Sequence, residues 1–274
     1  MSGSTAPNPP KLGFIGAGNM GGALARAARL RLPGSYIRLA NRTAQKAEDL
    51  AAELGAAAAD NRSVALWADF LLLGVKPQMM PEVLAELRPV LAGRQARFVL
   101  VSMAAGLTCA RIRELFGRDC PVIRIMPNTP AAIGQGMILY ACGEGVTPEE
   151  ERTFLDAMAG AGRFSPLPEH LIDAGSAVSG CGPAFVDLFL EALADGGVAC
   201  GLPRSQAMEL AAQMVLGSAA LALESGSHPG QLKDAVCSPG GTTIQGVRAL
   251  ERAGFRGAVI EAVIAAYEKN ASLK

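Results

Sequence analysis

The sequence has few charged residues, few aromatic residues and almost no histidine. Only 18% of its 274 residues are charged, 5% are aromatic and two are histidine. Lys and Arg together number 25, as do Asp and Glu, so the chain carries no excess of positive charge. Nucleic acids and anionic membrane surfaces attract proteins through such an excess. We therefore expect neither as a partner.

The sequence also lacks the patterns typical of metal sites and membrane spans. Its six cysteines form no C-x-x-C pair, which argues against a zinc site. We expect them to be buried as small apolar side chains. No apolar run approaches the roughly 18 residues of a membrane span, and the first ten residues contain no apolar stretch of a signal peptide. The expectation is a soluble, cytoplasmic protein without a bound metal.

Hydrophobic residues make up 50% of the chain, enough for a large core. In residues 1–168, short apolar runs alternate with helical segments, which is typical of a parallel, doubly wound α/β sheet. The segment Asp69–Val75, DFLLLGV, has the apolar run expected of a strand covered on both faces. The other predicted strands are Leu12–Ile15, Tyr36–Ala40, Arg97–Met103, Val122–Met126 and Met137–Cys142.

The pattern changes near Pro166–Pro168, and from Glu169 onward only helices are predicted. We therefore divide the chain into a sheet domain, residues 1–168, and an all-helical domain, residues 169–274. The helix predicted over residues 205–225 is apolar nearly all round, as is typical of a helix buried on several sides. In so small a domain, a second subunit is the expected cover. The predicted helices are residues 172–178, 184–199, 205–225, 231–236 and 243–270.

A G-x-G-x-x-G motif, formed by Gly16, Gly18 and Gly21, follows the first predicted strand and opens the first predicted helix. Alone it is a weak signal, because 32 glycines make chance matches common. In this position, however, the glycines permit a tight turn and let the backbone approach a pyrophosphate at the helix N-terminus. The motif therefore predicts a dinucleotide-binding loop. A tight turn without a ligand is the alternative.

The residues after the second predicted strand indicate which dinucleotide is bound. An NAD site has Asp or Glu there for the ribose 2′-hydroxyl, whereas this chain has Asn41-Arg42-Thr43. Arg42 can pair with a 2′-phosphate, and Asn41 and Thr43 can donate hydrogen bonds to it. NADPH is the predicted cofactor, with NADH as the weaker one. The alternative for Arg42 is a solvated surface charge.

A second candidate site is Ser238–Ile244, SPGGTTI, immediately before a predicted helix. Its two glycines and the amide groups at the helix N-terminus predict a site for a small anion such as a carboxylate. Thr242 and Thr243 can cap that helix, and a hydroxyl there could meet a substrate nitrogen. A capped helix without a ligand is the alternative.

The sequence offers no histidine or metal cluster suited to strong acid–base catalysis. Reduction of a ketone needs an acid to protonate the developing alkoxide, whereas hydride alone neutralises a protonated imine. Imine reduction therefore fits the residues present, because it mainly requires that the reactants be positioned.

The chain resembles the pyrroline-5-carboxylate reductase family from about Lys11 to Glu268. The resemblance rests on several motifs in the family's order, and the block from His228 to Ile244 is the most specific of them. The other motifs are FIGAGNM at Phe14–Met20, VKP at Val75–Pro77, SMAAG at Ser102–Gly106, MPNTP at Met126–Pro130 and SGCGPA at Ser179–Ala184.

The resemblance implies a Rossmann domain followed by an all-helical domain that interlocks with its mate in a homodimer. In many members the dimers assemble into decamers of five dimers. It also implies NAD(P)H-dependent hydride transfer to 1-pyrroline-5-carboxylate, which gives L-proline in the last step of proline synthesis; with the Asn41-Arg42-Thr43 turn, the expected donor is NADPH. The expected partner is this small imino acid, and its six-membered homologue is an additional candidate substrate.

Carried over by position, the resemblance implies which residues bind the cofactor and the substrate. The implied cofactor-binding residues are Gly16, Ala17, Gly18, Asn19, Met20 and Gly21 at the pyrophosphate, Asn41 and Arg42 at the adenosine ribose, Asn61 near the adenosine, and Val75, Lys76, Pro77, Ala104, Ala105 and Gly106 along the cofactor. The implied substrate-binding residues are Glu169, Ser238, Gly241, Thr242 and Thr243. Thr243 is also the implied catalytic residue, because its hydroxyl would lie near the ring nitrogen.

Three residues depart from the family pattern. Cys181 stands where Ser is usual, Phe185 where Tyr is common, and Ala235 where some members have a cofactor-contacting Asn. These departures affect finer contacts, not the reaction class.

Two other functions remain as alternatives. A β-hydroxyacid dehydrogenase would need a catalytic Lys on an interdomain helix, with Asn four residues later. Four residues after Lys233 stands Cys237, and Lys269 lies near the chain end. A cofactor-binding regulator without catalysis is the second alternative, and the predicted carboxylate site argues against it.

Overall fold

The computed structural model describes residues 9–271. The strands in this range are β1 Leu12–Ile15, β2 Ile37–Ala40, β3 Ala57–Ala58, β4 Phe70–Leu73, β5 Val99–Ser102, β6 Val122–Met126, β7 Gly136–Cys142 and β8 Gly162–Pro166. The helices are α1 Asn19–Arg29, α2 Ala44–Leu54, α3 Asn61–Trp67, α4 Met80–Ala92, α5 Cys109–Phe116, α6 Pro148–Met158, α7 Ile172–Ser179, α8 Gly182–Ala199, α9 Arg204–Ser225, α10 Pro229–Ala235, α11 Thr242–Arg252 and α12 Phe255–Ala271.

The strands form one sheet in the order β3-β2-β1-β4-β5-β6-β7-β8. Strands β1 to β6 are parallel, which confirms the predicted parallel, doubly wound sheet. Strand β7 is antiparallel to β6, and β8 is parallel to β7. The prediction of parallel strands is therefore wrong for β7. The segment between β6 and β7 contains the 3-10 turn Thr129–Ile133, which is too short for a parallel crossover.

Four elements of this part of the chain were not predicted, namely β3, α3, α6 and β8. Strand β3 is two alanines long, and β8 is a polar edge strand that ends at Pro166, so neither has an apolar run. Helix α6 begins with a capping box, in which Thr147 accepts from the Glu150 amide and Glu150 accepts from the Thr147 amide. The helix predicted over residues 243–270 is broken between α11 and α12 at Gly254, whose φ is +75°.

The core covers both faces of the sheet, as the apolar run in β4 predicts. Phe70 and Leu72 belong to one buried cluster and Leu71 and Leu73 to a second one on the opposite face. All four side chains are at most 3% exposed. This two-sided burial anchors the strand whose end carries one of the predicted cofactor loops.

The cysteines do not all lie in this core. Cys109 and Cys120 are buried, as predicted, but Cys142 and Cys200 are exposed. The prediction is wrong for these two, because Cys142 is the last residue of β7 and Cys200 follows the last residue of α8.

Contacts between residues divide the chain into two compact units, one up to Gly180 together with the stretch from Tyr267, and the other Cys181–Ala266. The second unit is helical throughout, and Glu169 onward contains no strand in the described range, which confirms the predicted all-α region. Helices α8 and α9 pack on each other, yet only Ala194, Ala207 and Ala211 are buried on them. Large apolar side chains such as Leu223, 70% exposed, point away from this contact.

Two segments, Glu169–Ala199 and Arg204–Ser225, have the length and apolar composition of membrane-crossing helices. Charged residues such as Glu191 interrupt the first segment, so it does not contain the uninterrupted apolar run that is typical of a membrane span. Length and composition alone are weak grounds for a membrane span, since the core helix of a soluble protein passes the same test.

Candidate active site

The predicted cofactor residues follow strands that end level with one another. Ile15, the last residue of β1, pairs with Ala40 at the end of β2 and with Leu73 at the end of β4. Leu73 in turn pairs with Ser102 at the end of β5. Because these strands are parallel, the loops after β1, β2, β4 and β5 emerge at the same edge of the sheet.

This edge contains the point where the chain reverses its direction across the sheet. After β3, on one side of β1, the chain crosses to β4 on the other side. Two backbone hydrogen bonds draw the loops together here. Gly16 N donates to Ala40 O at 2.9 Å, and Gly74 N donates to Ile15 O at 2.8 Å. Such a switch point opens a crevice beyond the strand ends, where doubly wound sheets bind their ligands.

Close backbone packing requires glycine at two positions of the motif, Gly16 and Gly21. Gly16 has a φ of +95°, and a Cβ there would lie 2.6 Å from Gly74 O. A Cβ on Gly21 would lie 2.1 Å from Gly16 O, so no larger residue fits. At Gly18, by contrast, no heavy atom lies within 4 Å of the Cβ position. The loop is therefore tight on its inner side and open on its outer side, as a backbone cradle for a pyrophosphate requires.

The electrostatics of the loop favour an anion. Helix α1 has Gly18 as its N-cap, no side chain caps it, and its first turn contains no acidic residue. Its free amide groups and the positive end of the helix dipole are therefore available to phosphate oxygens. Asn19 is exposed and Met20 half-buried at the start of this helix.

The loop after β2 presents the residues predicted to select NADPH. Arg42 is exposed, and no carboxylate of residues 9–271 forms an ion pair with it. Asn41 Nδ2 donates to Thr43 O at 3.1 Å, which holds the turn. Thr43 is the N-cap of α2, but its hydroxyl makes no capping hydrogen bond. The guanidinium of Arg42 is free to meet a phosphate.

Asn61 is the first residue of α3 and follows β3, at the far end of the same edge. Its Nδ2 donates to Glu86 Oε2 at 3.0 Å. The preceding residue, Asp60, caps the helix by accepting from Ser63 N at 2.7 Å, and this hydrogen bond lowers the pKa of its carboxyl group. Asn61 is thus held at the adenosine end of the predicted cofactor site.

The loop after β4 contains Val75, Lys76 and Pro77, and the loop after β5 contains Ala104, Ala105 and Gly106. Val75 and Pro77 are half-buried and Lys76 is exposed. In the second loop, Ala104 is 1% exposed and its amide donates to Ser102 Oγ at 3.3 Å.

The carboxylate of Glu169, which follows β8, binds the end of the loop after β5. Glu169 Oε1 accepts from the amide of Cys109, the first residue of α5, at 2.6 Å. Thr108 caps the same helix by accepting from Arg111 N at 3.1 Å. Burial raises the pKa of the Cys109 thiol to about 12, and the nearby Glu169 carboxylate adds to the shift. This thiol is therefore protonated at neutral pH.

Behind Glu169 lies a buried ion pair that was not predicted. Arg124, in the middle of β6, is 1% exposed, and its Nη2 donates to Asp173 Oδ1 of α7 at 2.5 Å. Its Nη1 lies 4.0 Å from Glu169 Oε1. An arginine inside the otherwise apolar run VIRIM is a signal that could have revealed this pair, because buried arginines are paired.

A second unpredicted contact involves Asn128, which is 8% exposed. Its Nδ2 donates to Ser179 O at 2.9 Å, and its Oδ1 accepts from Met137 N at 3.0 Å. The amide therefore links the loop after β6 to the end of α7 and to the start of β7. This explains why the MPNTP motif carries an Asn.

The predicted substrate residues fall in both compact units. Glu169 lies in the first unit, whereas Ser238, Gly241, Thr242 and Thr243 lie in the second. Gly241 is the N-cap of α11, and no side chain caps this helix. The prediction that Thr242 and Thr243 cap it is therefore wrong, because both lie inside its first turn.

This turn still presents open amide groups. Thr242 and Thr243 are exposed, Gly240 has a φ of +70°, and Gly241 N donates back to Ser238 O at 3.0 Å. The segment that begins at His228 forms the separate helix α10. The His228 side chain caps this helix by accepting from Gly230 N at 3.1 Å.

Comparison with known proteins identifies the family. Residues 169–273 match the family model described as pyrroline-5-carboxylate reductase dimerisation, and residues 11–106 match that of NADP oxidoreductase, coenzyme F420-dependent. Pyrroline-5-carboxylate reductase of Escherichia coli is 43% identical over 267 residues, which cover 96% of this chain and 98% of the relative. The Glycine max enzyme is 42% identical over 265 residues, covering 96% and 95%.

The chain belongs to the pyrroline-5-carboxylate reductase family. Two solved structures of this family share the fold. That of Coxiella burnetii has a TM-score of 0.88 at 32% identity and covers 97% of this chain and 99% of its own. The Plasmodium falciparum structure, with NADP bound, has a TM-score of 0.85 at 32% identity and covers 95% and 97%.

Family membership also explains the apolar helices. The dimerisation model of the pyrroline-5-carboxylate reductase family spans α7 to α12, which include both long apolar segments. Their exposed leucines lie within the range of this model, which supports the oligomer that the helix over residues 205–225 predicted. The apolar composition is that of an oligomer interface.

Proposed function

We propose that this chain reduces 1-pyrroline-5-carboxylate to L-proline with NADPH. The observation that carries the proposal is that the glycine loop, Arg42 and the loops after β4 and β5 all emerge at one edge of the sheet. The similarity to this reductase family covers 96% of the chain. The reaction consumes one imine, one NADPH and one proton and yields one proline and one NADP⁺.

The cofactor residues have distinct tasks in this proposal. The amide groups from Gly16 to Gly21 hold the pyrophosphate at the start of α1. Arg42, with Asn41, holds the 2′-phosphate, and Asn61 lies near the adenosine. The residues along the nicotinamide half are Val75, Lys76, Pro77, Ala104, Ala105 and Gly106. When bound, NADPH supplies the hydride.

The substrate residues bind and orient the imine. The open amides of Thr242 and Thr243 donate hydrogen bonds to the carboxylate, and Gly241 and the Ser238 loop complete this site. The Thr243 hydroxyl lies near the ring nitrogen and stabilises the protonated imine and then the amine. For Glu169 the resemblance implies a substrate contact as well. No general acid is needed, because the nitrogen already carries its proton.

The assembly and location follow the same reasoning. The chain acts as a homodimer through its C-terminal helices, and the larger form we propose is a decamer of five dimers. The proposed domains are residues 1–168 for the cofactor and residues 169–274 for the substrate and the dimer contact. The proposed compartment is the cytoplasm, where NADPH and free thiols are maintained.

The test is NADPH oxidation with 1-pyrroline-5-carboxylate, run beside NADH, the six-membered imine, a keto acid and a 3-hydroxyacid with NADP⁺. We expect rapid turnover of the imine and none with the keto acid or the hydroxyacid. Thr243→Ala should lower kcat/KM about 100-fold, the usual effect of losing one preorganised hydrogen bond. Thr243→Ser, which keeps the hydroxyl, is the matched control. Binding of NADPH without imine turnover would refute the proposal.

A further inference from the structure

The loop after β5, residues 103–108, is held at both ends by polar contacts. At its start, Ser102 Oγ accepts from Ala104 N at 3.3 Å. At its end, Glu169 Oε1 accepts from Cys109 N at 2.6 Å, across 60 positions of sequence. The second contact is the stronger, because a carboxylate accepting from a helix N-terminal amide is a charge-assisted hydrogen bond.

Glu169 is in turn held in place by the buried pair behind it. Asp173 lies one turn further along the chain and binds Arg124 at 2.5 Å. Arg124 is opposite Ser102 in the register of β5 and β6. The Arg124 guanidinium also lies 4.0 Å from Glu169 Oε1. One buried cation is therefore shared between the carboxylate that holds the loop and the carboxylate that fixes α7.

We propose that Glu169 is a positioning residue for the cofactor loop 103–108, held in place by the Arg124–Asp173 pair. The inference rests on the proposed function only in that this loop contacts the nicotinamide half of NADPH. Glu169 then affects cofactor binding indirectly: its Oε1 accepts a hydrogen bond from Cys109 N and so fixes the end of the loop. This role differs from the direct substrate contact that the family resemblance implies, and the two roles are distinguishable.

The experiment compares Glu169→Ala with Glu169→Gln. NADPH affinity is measured by quenching of Trp67, the single tryptophan of the chain, and steady-state kinetics give separate KM values for NADPH and for the imine. We expect Glu169→Ala to weaken NADPH binding about tenfold, the effect of one lost hydrogen bond to a charged group. The KM of the imine should stay within about twofold. Glu169→Gln keeps an acceptor oxygen and should restore NADPH affinity to within about threefold of wild type.

Glu150→Ala is the matched control. Glu150 Oε2 also accepts from a helix N-terminal amide, that of Thr147, at 2.8 Å. It lies at the opposite end of β5, where it pairs with Arg97. Its loss should lower stability without changing NADPH affinity. Hydrogen exchange of the peptide over residues 103–109 should accelerate in Glu169→Ala and remain unchanged in Glu150→Ala.

The outcomes separate the two roles. If Ala and Gln both raise the KM of the imine while NADPH affinity is unchanged, Glu169 is a substrate contact and the proposal is overturned. Unchanged kinetics and unchanged exchange in Glu169→Ala would overturn it as well. If Glu169→Ala does not fold, Glu169→Asp takes its place, since the shorter side chain keeps the charge beside Arg124 but cannot reach Cys109 N. Absence of imine turnover in the wild type would refute the proposed function, whereas NADPH affinity and exchange would still decide this inference.

Discussion

Replacing Asp173 by Ala removes the partner of a buried arginine. Arg124 is 1% exposed and Asp173 6%, and their side chains are 2.5 Å apart. A guanidinium cannot lose its proton at neutral pH. The variant must therefore open to water or keep a buried charge whose remaining carboxylate neighbour, Glu169, lies 4.0 Å away. Breaking a buried pair in this way costs about 3–5 kcal/mol. Coulomb's law gives a similar figure for the attraction, about 4 kcal/mol at an effective dielectric constant of about 20, if each delocalised charge is placed at the centre of its group, about 4 Å from the other.

A second ion pair with the same N···O distance but high solvent exposure provides the control. Arg204 and Asp195 are also 2.5 Å apart, but their side chains are 55% and 61% exposed. Such an exposed pair contributes about 0–1 kcal/mol. Asp195→Ala should therefore change the free energy of unfolding by less than about 1 kcal/mol, although it removes the same kind of group at the same distance.

The assay is urea unfolding followed by Trp67 fluorescence, at one fixed protein concentration because subunit association adds to stability. A loss below about 1 kcal/mol in Asp173→Ala would refute the argument from burial. The double variant Arg124→Met, Asp173→Leu should recover most of the loss, because apolar residues of similar volume replace buried ion pairs at little cost. If the double variant does not recover stability, the pair contributes more to the free energy of unfolding than the mutual compensation of its two charges.

Three further predictions concern the cofactor loop, the glycine motif and the buried thiol. Arg42→Glu should reverse the preference for NADPH over NADH by at least about tenfold in kcat/KM, because a carboxylate repels the 2′-phosphate and accepts from a ribose hydroxyl; an unchanged ratio would exclude Arg42 as the phosphate contact. Gly21→Ala should abolish NADPH binding and lower the melting temperature, since its Cβ would lie 2.1 Å from Gly16 O. Gly18→Ala should fold normally, because the space around its Cβ position is open. Equal melting temperatures for the two variants would contradict the geometry. The pKa of the Cys109 thiol is raised from 9.0 to about 12 by burial, so the unfolded chain ionises first and the thiol's contribution to stability, complete below pH 9, is lost as the pH rises toward 12. Cys109→Ala should therefore show a shallower fall of unfolding free energy across this range, and equal slopes would show that the thiol titrates normally.

The arrangement of the proposed cofactor loops was predictable because it depends on local chain geometry. Gly16, Gly18 and Gly21 are needed at one turn, and the residue after β2 is read directly from the sequence. Parallel strands then bring the remaining loops to the same edge without any further information. The positions of these loops can therefore be predicted from short motifs.

The contacts that support the site were not predictable in the same way. Arg124 and Asp173 are 49 positions apart, and nothing local to either one indicates its partner. Strand β7 is antiparallel because the loop before it is short, and β8 is a polar edge strand without an apolar run. Such features depend on which elements pack together, so a motif cannot report them. A charged residue in an apolar strand was the one available sign.

The level ends of β1, β2, β4 and β5 have a consequence for how such a protein can change. Their register is set by backbone hydrogen bonds, so the starting points of the four loops are independent of loop sequence. New residues in a loop can alter which cofactor is preferred while the other three loops stay where they are. A single-residue insertion within β4, in contrast, would turn its side chains to opposite faces and shift its loop by about 3.3 Å. Variation in this family should therefore accumulate in loop composition, while strand length stays constant.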